Sequence, residues 1–202
     1  MQVRYPKLTI ALIVFLVCAL PSVVVGFDGL SRPYDAIPDQ DLLWLSEALR
    51  LARGVAPSYA DHPGAFWSII FRINLKLLKV LLPSVSLIDS RESLTLVGAH
   101  LLVLVARIQN TLIASVVGPL VFLVTKQLQF RTPVAFFAAI AVAWSSGTLV
   151  SVSKVRHEVV SLVFILLSLA VFSDLIRRKK SQRYLPNSLI WIIPLSLFFA
   201  AI

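Results

Sequence analysis

The sequence predicts an all-α fold: a polytopic membrane helix bundle with amphipathic juxtamembrane helices in its first external loop. Three observations lead there. Of 202 residues, 58% are hydrophobic and only 14% charged, and the mean hydropathy is +0.87, too apolar for a chain solvated by water alone. Several apolar runs approach the roughly 20 residues needed to cross a bilayer core about 30 Å thick. The basic residues sit beside those runs and not in a polar domain of their own, so the formal net charge of +9 points to a membrane partner and to no nucleic acid.

The first run, residues 8–27, follows Arg4 and Lys7 and reads as a spanning helix with a cytoplasmic N-terminus. A cleaved signal peptide has a shorter apolar core, about 7 to 15 residues, and a small-residue cleavage site. Residues 28–107 form a long external loop whose first part, 28–64, holds most of the acidic residues. Within it Pro38 and Asp39 open a helix, 39–53, that Gly54 closes, with Arg50 and Arg53 in the last turn where the macrodipole favours cations. At about 100° per residue, Leu42, Trp44, Leu45, Ala48, Leu49, Leu51 and Ala52 fall on one side of it. Asp39, Gln40, Ser46, Glu47, Arg50 and Arg53 fall on the other. A second amphipathic helix, 65–82, carries Ser68, Arg72, Lys76 and Lys79 as one narrow polar stripe. Three cations, each costing about 2.5 to 3.5 kcal/mol at a helix centre, make it a surface helix and not a span.

Beyond the polar segment 89–92, the apolar region 94–124 is interrupted by Arg107, Gln109 and Asn110, which sets the next span at 108–124 with Arg107 snorkelling near its start. Spans at 132–150, 159–176 and 188–202 follow, and the last has no polar flank, so the chain is expected to be incomplete at its C-terminus. Arg177, Arg178, Lys179, Lys180 and Arg183 form the densest basic cluster, which positive-inside bias places in the cytoplasm. The link 152–158 then faces outward with the first loop. Residues 1–202 are thus read as one multi-pass membrane domain. The single cysteine, Cys18, lies inside the first run; it can form neither an internal disulfide nor a thiolate metal site and serves packing.

Polar groups gather on the external side: Asp28, Asp35, Asp39, Asp41, Glu47, Asp61 and His62 in the first loop, and Lys154, Arg156, His157 and Glu158 in the second. Apolar surroundings strengthen the electrostatics of such groups, so the two clusters together make a candidate site. Arg156 and Glu158, at i and i+2, would not face each other on a helix and would serve different partners. The three histidines, His62, His100 and His157, have no ligand spacing, so an all-protein zinc site is not expected.

The order of these features carries a resemblance. A spanning helix is followed by Pro38-Asp39-Gln40-Asp41, about twenty residues later by Tyr59-Ala60-Asp61-His62-Pro63-Gly64, and then by the helix start bearing Arg107. This order resembles the GT-C superfamily of membrane glycosyltransferases, and within it the protein mannosyltransferases and aminoarabinose transferases that use polyprenyl-phosphate sugars. In that branch a Pro-Asp-Glu-like motif follows the first helix and a His-Pro-Pro-like motif opens a juxtamembrane helix. A second charged motif lies between the third and fourth spans, where Glu158 falls here. Gln40 stands in place of the Glu, and Gly64 in place of the second Pro.

The resemblance implies an inverting transfer at the outer face of a bacterial plasma (inner) membrane. A first-loop carboxylate deprotonates an acceptor hydroxyl, which attacks the anomeric carbon of a lipid-phosphate sugar. Asp39 is the candidate base, although a helix N-cap also calls for Asp there. The leaving phosphate needs cations, and Arg50, Arg53, Arg72, Lys76, Lys79 and Arg156 are candidates, Arg by its bidentate fork. Asp41, Glu47, His62 and Glu158 complete the candidate substrate site. Each has a structural rival: Asp41 suits the helix dipole, Glu47 can pair with Arg50, and His62 before Pro63 can close a turn. The stripe Arg72, Lys76 and Lys79 also suits a headgroup anchor. No cofactor is required, but a divalent metal bridged by carboxylates and lipid phosphate is compatible, as in some members of the superfamily. The contrasting expectation is a non-catalytic small membrane protein or transporter fragment whose external loop binds lipid or a partner. A third, a substrate transporter, calls for charged or Gly/Pro-broken positions at the midplane of paired helices, and Gly118 and Pro119 in one span are the only such hint.

Overall fold

The computed structural model describes residues 6–31, 41–56, 65–88, 94–152 and 154–180, and these fold as helices joined by short turns, with no strand among them. In chain order the helices are α1 (Pro6–Leu30), α2 (Asp41–Ala52), α3 (Ala65–Leu81), α4 (Leu96–Ser115), α5 (Val117–Gln127), α6 (Thr132–Ala143), α7 (Ser146–Val152) and α8 (His157–Lys180). Among the described residues three stretches are long and apolar enough to cross a membrane: Leu12–Leu30, Leu96–Gln127 and His157–Ile176. The bent pair α6–α7 makes a fourth if it is one span. The expected run 188–202 lies outside the described residues.

α1 contains Pro21, which has no N–H to give to the carbonyl of Val17 one turn earlier. The freed carbonyl is used: Trp144 Nε1 donates to Val17 O at 3.2 Å, tying the end of α6 to α1. Outward, α1 presents Leu12, Leu16, Leu20 and Val24 in one row at i+4 spacing, each more than half exposed. α8 presents a comparable row at i+3 and i+4 spacing, Ile165, Leu169, Phe172 and Ile176, all exposed. Such rows are stable against hydrocarbon and unfavourable against water.

The helix expected to start a span at residue 108 begins instead at Leu96, after an N-cap in which Thr95 Oγ1 accepts from Gly98 N at 3.0 Å. Its first turns, with Ala99, Leu102, Val103 and Ala106 buried, form a core with Trp44, Leu45 and Ala48 of α2 and Trp67, Phe71 and Leu75 of α3. The break at Val116 has a covalent cause, since Pro119 cannot bond the carbonyl of Ser115. A second core joins Ala114 and Val117 to Val152, Val159 and Leu166, and a third joins Val14 and Cys18 to Ala139 and Ala143. Where α1, α5 and α6 cross, a Cβ on Gly118 would run into the Cys18 side chain and the Cβ of Ala143, so the close approach requires glycine there.

The run 132–150, expected as one straight span, is two helices bent by 50° at a break around Trp144 and Ser145. Hydroxyls cause it: Ser145 Oγ donates to Val142 O at 2.8 Å and Thr148 Oγ1 donates to the same carbonyl at 2.9 Å. Thr148 N in turn donates to Ser145 Oγ at 3.3 Å, so the side chain replaces a backbone acceptor at the start of α7. The amphipathic helices expected at 39–53 and 65–82 are observed as Asp41–Ala52 and Ala65–Leu81. α2 ends as its Gly54 predicts, with φ at +73° and Val55 N bonded back to Arg50 O at 2.9 Å.

Candidate functional site

The residues that interrupt the apolar run 94–124 turn out to organise one end of the bundle. Arg107, expected to snorkel, is 2% exposed in the middle of α4, and its Nη1 donates to Gly29 O at the C-terminal end of α1 at 2.8 Å. It is held inside because the carbonyls of the last turn of α1 have no partner within their own helix. Thr111, one turn on, lies where α1 passes closest, with Gly26 directly against its side chain. Gln109 points the other way and exchanges two hydrogen bonds with Asn74 of α3: Asn74 Nδ2 donates to Gln109 Oε1 at 2.9 Å, and Gln109 Nε2 donates to Asn74 Oδ1 at 3.0 Å.

Asn110, fully buried, faces the end of α7. The two N–H groups of its Nδ2 are shared among three carbonyls, Ser151 O at 2.8 Å, Val152 O at 3.2 Å and Lys154 O at 2.6 Å, one N–H being bifurcated. Carbonyls can only accept, so the amide nitrogen must face them, and this one group serves the last two carbonyls of α7 and that of Lys154 beyond it. The amide oxygen, Oδ1, is left buried without a donor. The segment after α7 is gripped from the other side as well. Trp44 of α2 donates its Nε1 to Val155 O at 3.1 Å, and Val155 is fully buried in the core shared by α2, α3 and α4. The first-loop helix and the second charged link are therefore fixed to each other and to α4 at the same end of the molecule.

That link ends in a charged cluster. Arg156 Nη1 and Glu158 Oε1 are 3.1 Å apart and His157 Nδ1 lies 3.6 Å from Glu158 Oε2. The expectation that Arg156 and Glu158 serve different partners is corrected: α8 starts at His157, so Arg156 stands outside the helix and can fold back on a carboxylate two residues on. Glu158 occupies the first turn of α8, where the helix dipole favours a negative charge. It borders a cavity of about 420 Å³ whose wall also includes Ser145, Gly147, Thr148 and Ser151. The donors of the three hydroxyls go to backbone carbonyls, so they offer oxygen lone pairs to whatever enters.

The remaining candidates separate into groups. Asp39 and His62 lie outside the described residues, and Asp41 opens α2. Glu47, expected on the polar side of α2, is 2% exposed, while Ala52, expected on the buried side, is exposed. The reason is that α2 is covered both by α3 and by the Val155 segment, so its buried face turns toward Trp44 and takes Glu47 with it. Arg50 donates from Nε and Nη2 to Ala56 O at 3.2 and 3.0 Å, closing the turn after its own helix. Arg53 faces Lys79 across a cleft between α2 and α3. Arg72 and Lys76 lie on α3, and among the described residues no hydrogen bond or ion pair joins them to the Arg156–Glu158 cluster. No three His, Cys, Asp or Glu side chains converge among the described residues.

Trp44, Asn74 and Asn110 have positioning roles that the sequence pattern does not reveal. The only local signal is a polar or indole N–H group in an apolar stretch; the acceptors are 35 to 111 residues away. Comparison with family models, with curated proteins and with solved structures finds nothing that matches this chain.

Proposed function

We propose that this chain is a GT-C-like glycosyltransferase, or the N-terminal portion of one, that moves a sugar from a polyprenyl-phosphate donor to an acceptor hydroxyl at the outer face of the membrane. The observation that supports it is the bond from Trp44 to Val155, which joins α2, the helix that directly follows Asp39 in the sequence, to the segment that carries Arg156, His157 and Glu158. In this reading Asp39 takes the proton of the acceptor hydroxyl as its oxygen forms a bond to the anomeric carbon. The bond from that carbon to the phosphate oxygen breaks on the opposite face, and the electron pair leaves with the lipid phosphate. Arg156 stabilises the charge on the leaving phosphate, and Glu158 holds Arg156 in place.

The test is transfer from radiolabelled polyprenyl-phosphate sugars in membranes carrying the chain. Asp39→Asn is expected to abolish transfer with insertion unchanged, and unchanged transfer rejects Asp39 as the base. Trp44→Phe keeps an aromatic side chain but removes the N–H that holds Val155, about 1 kcal/mol, together with part of a buried ring, so transfer falls several-fold without any change of charge.

A second reading, of a solute or ion pathway, draws on a different observation. The 50° break between α6 and α7 opens on the hydroxyl-lined cavity beside Glu158, and interrupted helices facing a polar cavity are a transporter device. Uptake by reconstituted vesicles that is lost in Thr148→Val, with no sugar transfer, favours it.

A further inference from the structure

One helix carries chemistry that the transfer reaction does not use. α3 packs inward through Trp67, Phe71, Asn74, Leu75 and Leu78. Its outward half divides into two flanks. Ile69, Ile73, Leu77 and Val80 form an apolar row, 49%, 45%, 52% and 78% exposed. Arg72, Lys76 and Lys79 fall within about 60° of arc on the neighbouring flank, taking about 100° per residue. Lys76 and Lys79 are exposed and Arg72 half-buried. Among the described residues none of the three has a hydrogen bond or a carboxylate partner, and Arg72 Nε is buried without an acceptor there. At the C-terminal end of α3, Lys79 and Arg53 line a cleft of about 490 Å³. The reciprocal amide pair of Asn74 and Gln109 fixes the rotation of α3 about its own axis, so the apolar row cannot turn inward onto α4.

We propose that α3 docks on an anionic lipid surface, with the row Ile69–Ile73–Leu77–Val80 among acyl chains, Arg72, Lys76 and Lys79 on the headgroup phosphates, and one headgroup in the Arg53–Lys79 cleft. The two flanks adjoin along the helix, which is the arrangement that lets basic side chains reach up to headgroups while their neighbours stay in hydrocarbon. An apolar row alone would accept any lipid. Three cations with no carboxylate partner among the described residues select an anionic one. The surface is independent of sugar transfer and stands or falls separately from it.

Native mass spectrometry of the purified chain with an equimolar mixture of phosphatidylglycerol and phosphatidylcholine of matched acyl chains tests the proposal. The anionic lipid is expected to be retained in preference. Lys76→Gln with Lys79→Gln should reduce that preference by about five-fold per cation, the equivalent of about 1 kcal/mol each near an anionic surface. Lys126→Gln with Arg131→Gln, the same change of charge at exposed positions away from α3, should leave it intact. No preference in the unaltered chain, or equal loss in both double variants, overturns the proposal. Displacement of the lipid by millimolar inorganic phosphate also overturns it, by identifying a site for a free anion. As a second measurement, a bimane on Ile73→Cys in a Cys18→Ala background, reconstituted in bilayers, should be quenched by nitroxide-labelled lipid. An unquenched probe in a folded protein contradicts the apolar contact.

Discussion

Asn110 shares its two amide N–H groups among three backbone carbonyls, and among the described residues no other side chain donates to them. Its loss leaves the end of α7 with unpaired acceptors, which costs about 1 to 3 kcal/mol when they are buried. Asn110→Ala is therefore expected to lower the thermal unfolding temperature in detergent by several degrees, and an unchanged temperature rejects the clamp. The role of Asn110 was not legible in the sequence, where Arg107, Gln109 and Asn110 look like the polar edge of a span. The edge is real in one sense: Arg107 and Asn110 stand level with the ends of α1 and α7, to whose carbonyls they bond. What local pattern cannot show is that α4 continues past that level as a helix, because the cover over Leu102 and Val103 comes from α2 and α3.

Among the elements, the helix breaks follow covalent chemistry more closely than hydrophobic pattern. Pro119 and the hydroxyls of Ser145 and Thr148 each remove or replace a backbone bond. The end of α2 was legible because a glycine at positive φ is a local requirement. The bend between α6 and α7 was not, since Ser145, Ser146 and Gly147 are compatible with either a straight or a broken helix. Two glycines separate the causes. Gly118→Val pushes into Cys18 and Ala143, and overpacking of this kind costs about 1 to 3 kcal/mol. A Cβ on Gly147 meets nothing within 4 Å, so Gly147→Ala should be neutral or stabilising by up to about 1 kcal/mol. Thermal unfolding of both variants checks the pair; equal destabilisation contradicts the packing described for α1, α5 and α6.

For the whole molecule, composition and run length made the helical, membrane-type architecture legible, and the rows on α1 and α8 supply the lipid-facing surface that such a chain needs. The junction of α2 with the 154–158 link was legible only as two charged loops expected on one side. The contact itself depends on Trp44, which a helical wheel assigns to packing. The proposed orientation places Lys154 outside and Arg131 inside. A membrane-impermeant maleimide applied to intact cells should label Lys154→Cys and spare Arg131→Cys; the reverse pattern inverts the topology and moves the candidate site to the cytoplasm. The central claim is that these elements form a site for inverting sugar transfer, and its most direct measurement is the anomeric configuration of the product made from a configurationally defined polyprenyl-phosphate sugar. The proposal predicts a product of opposite configuration to the donor, lost in Asp39→Asn. A product of retained configuration, or one made equally well by Asp39→Asn, would contradict it.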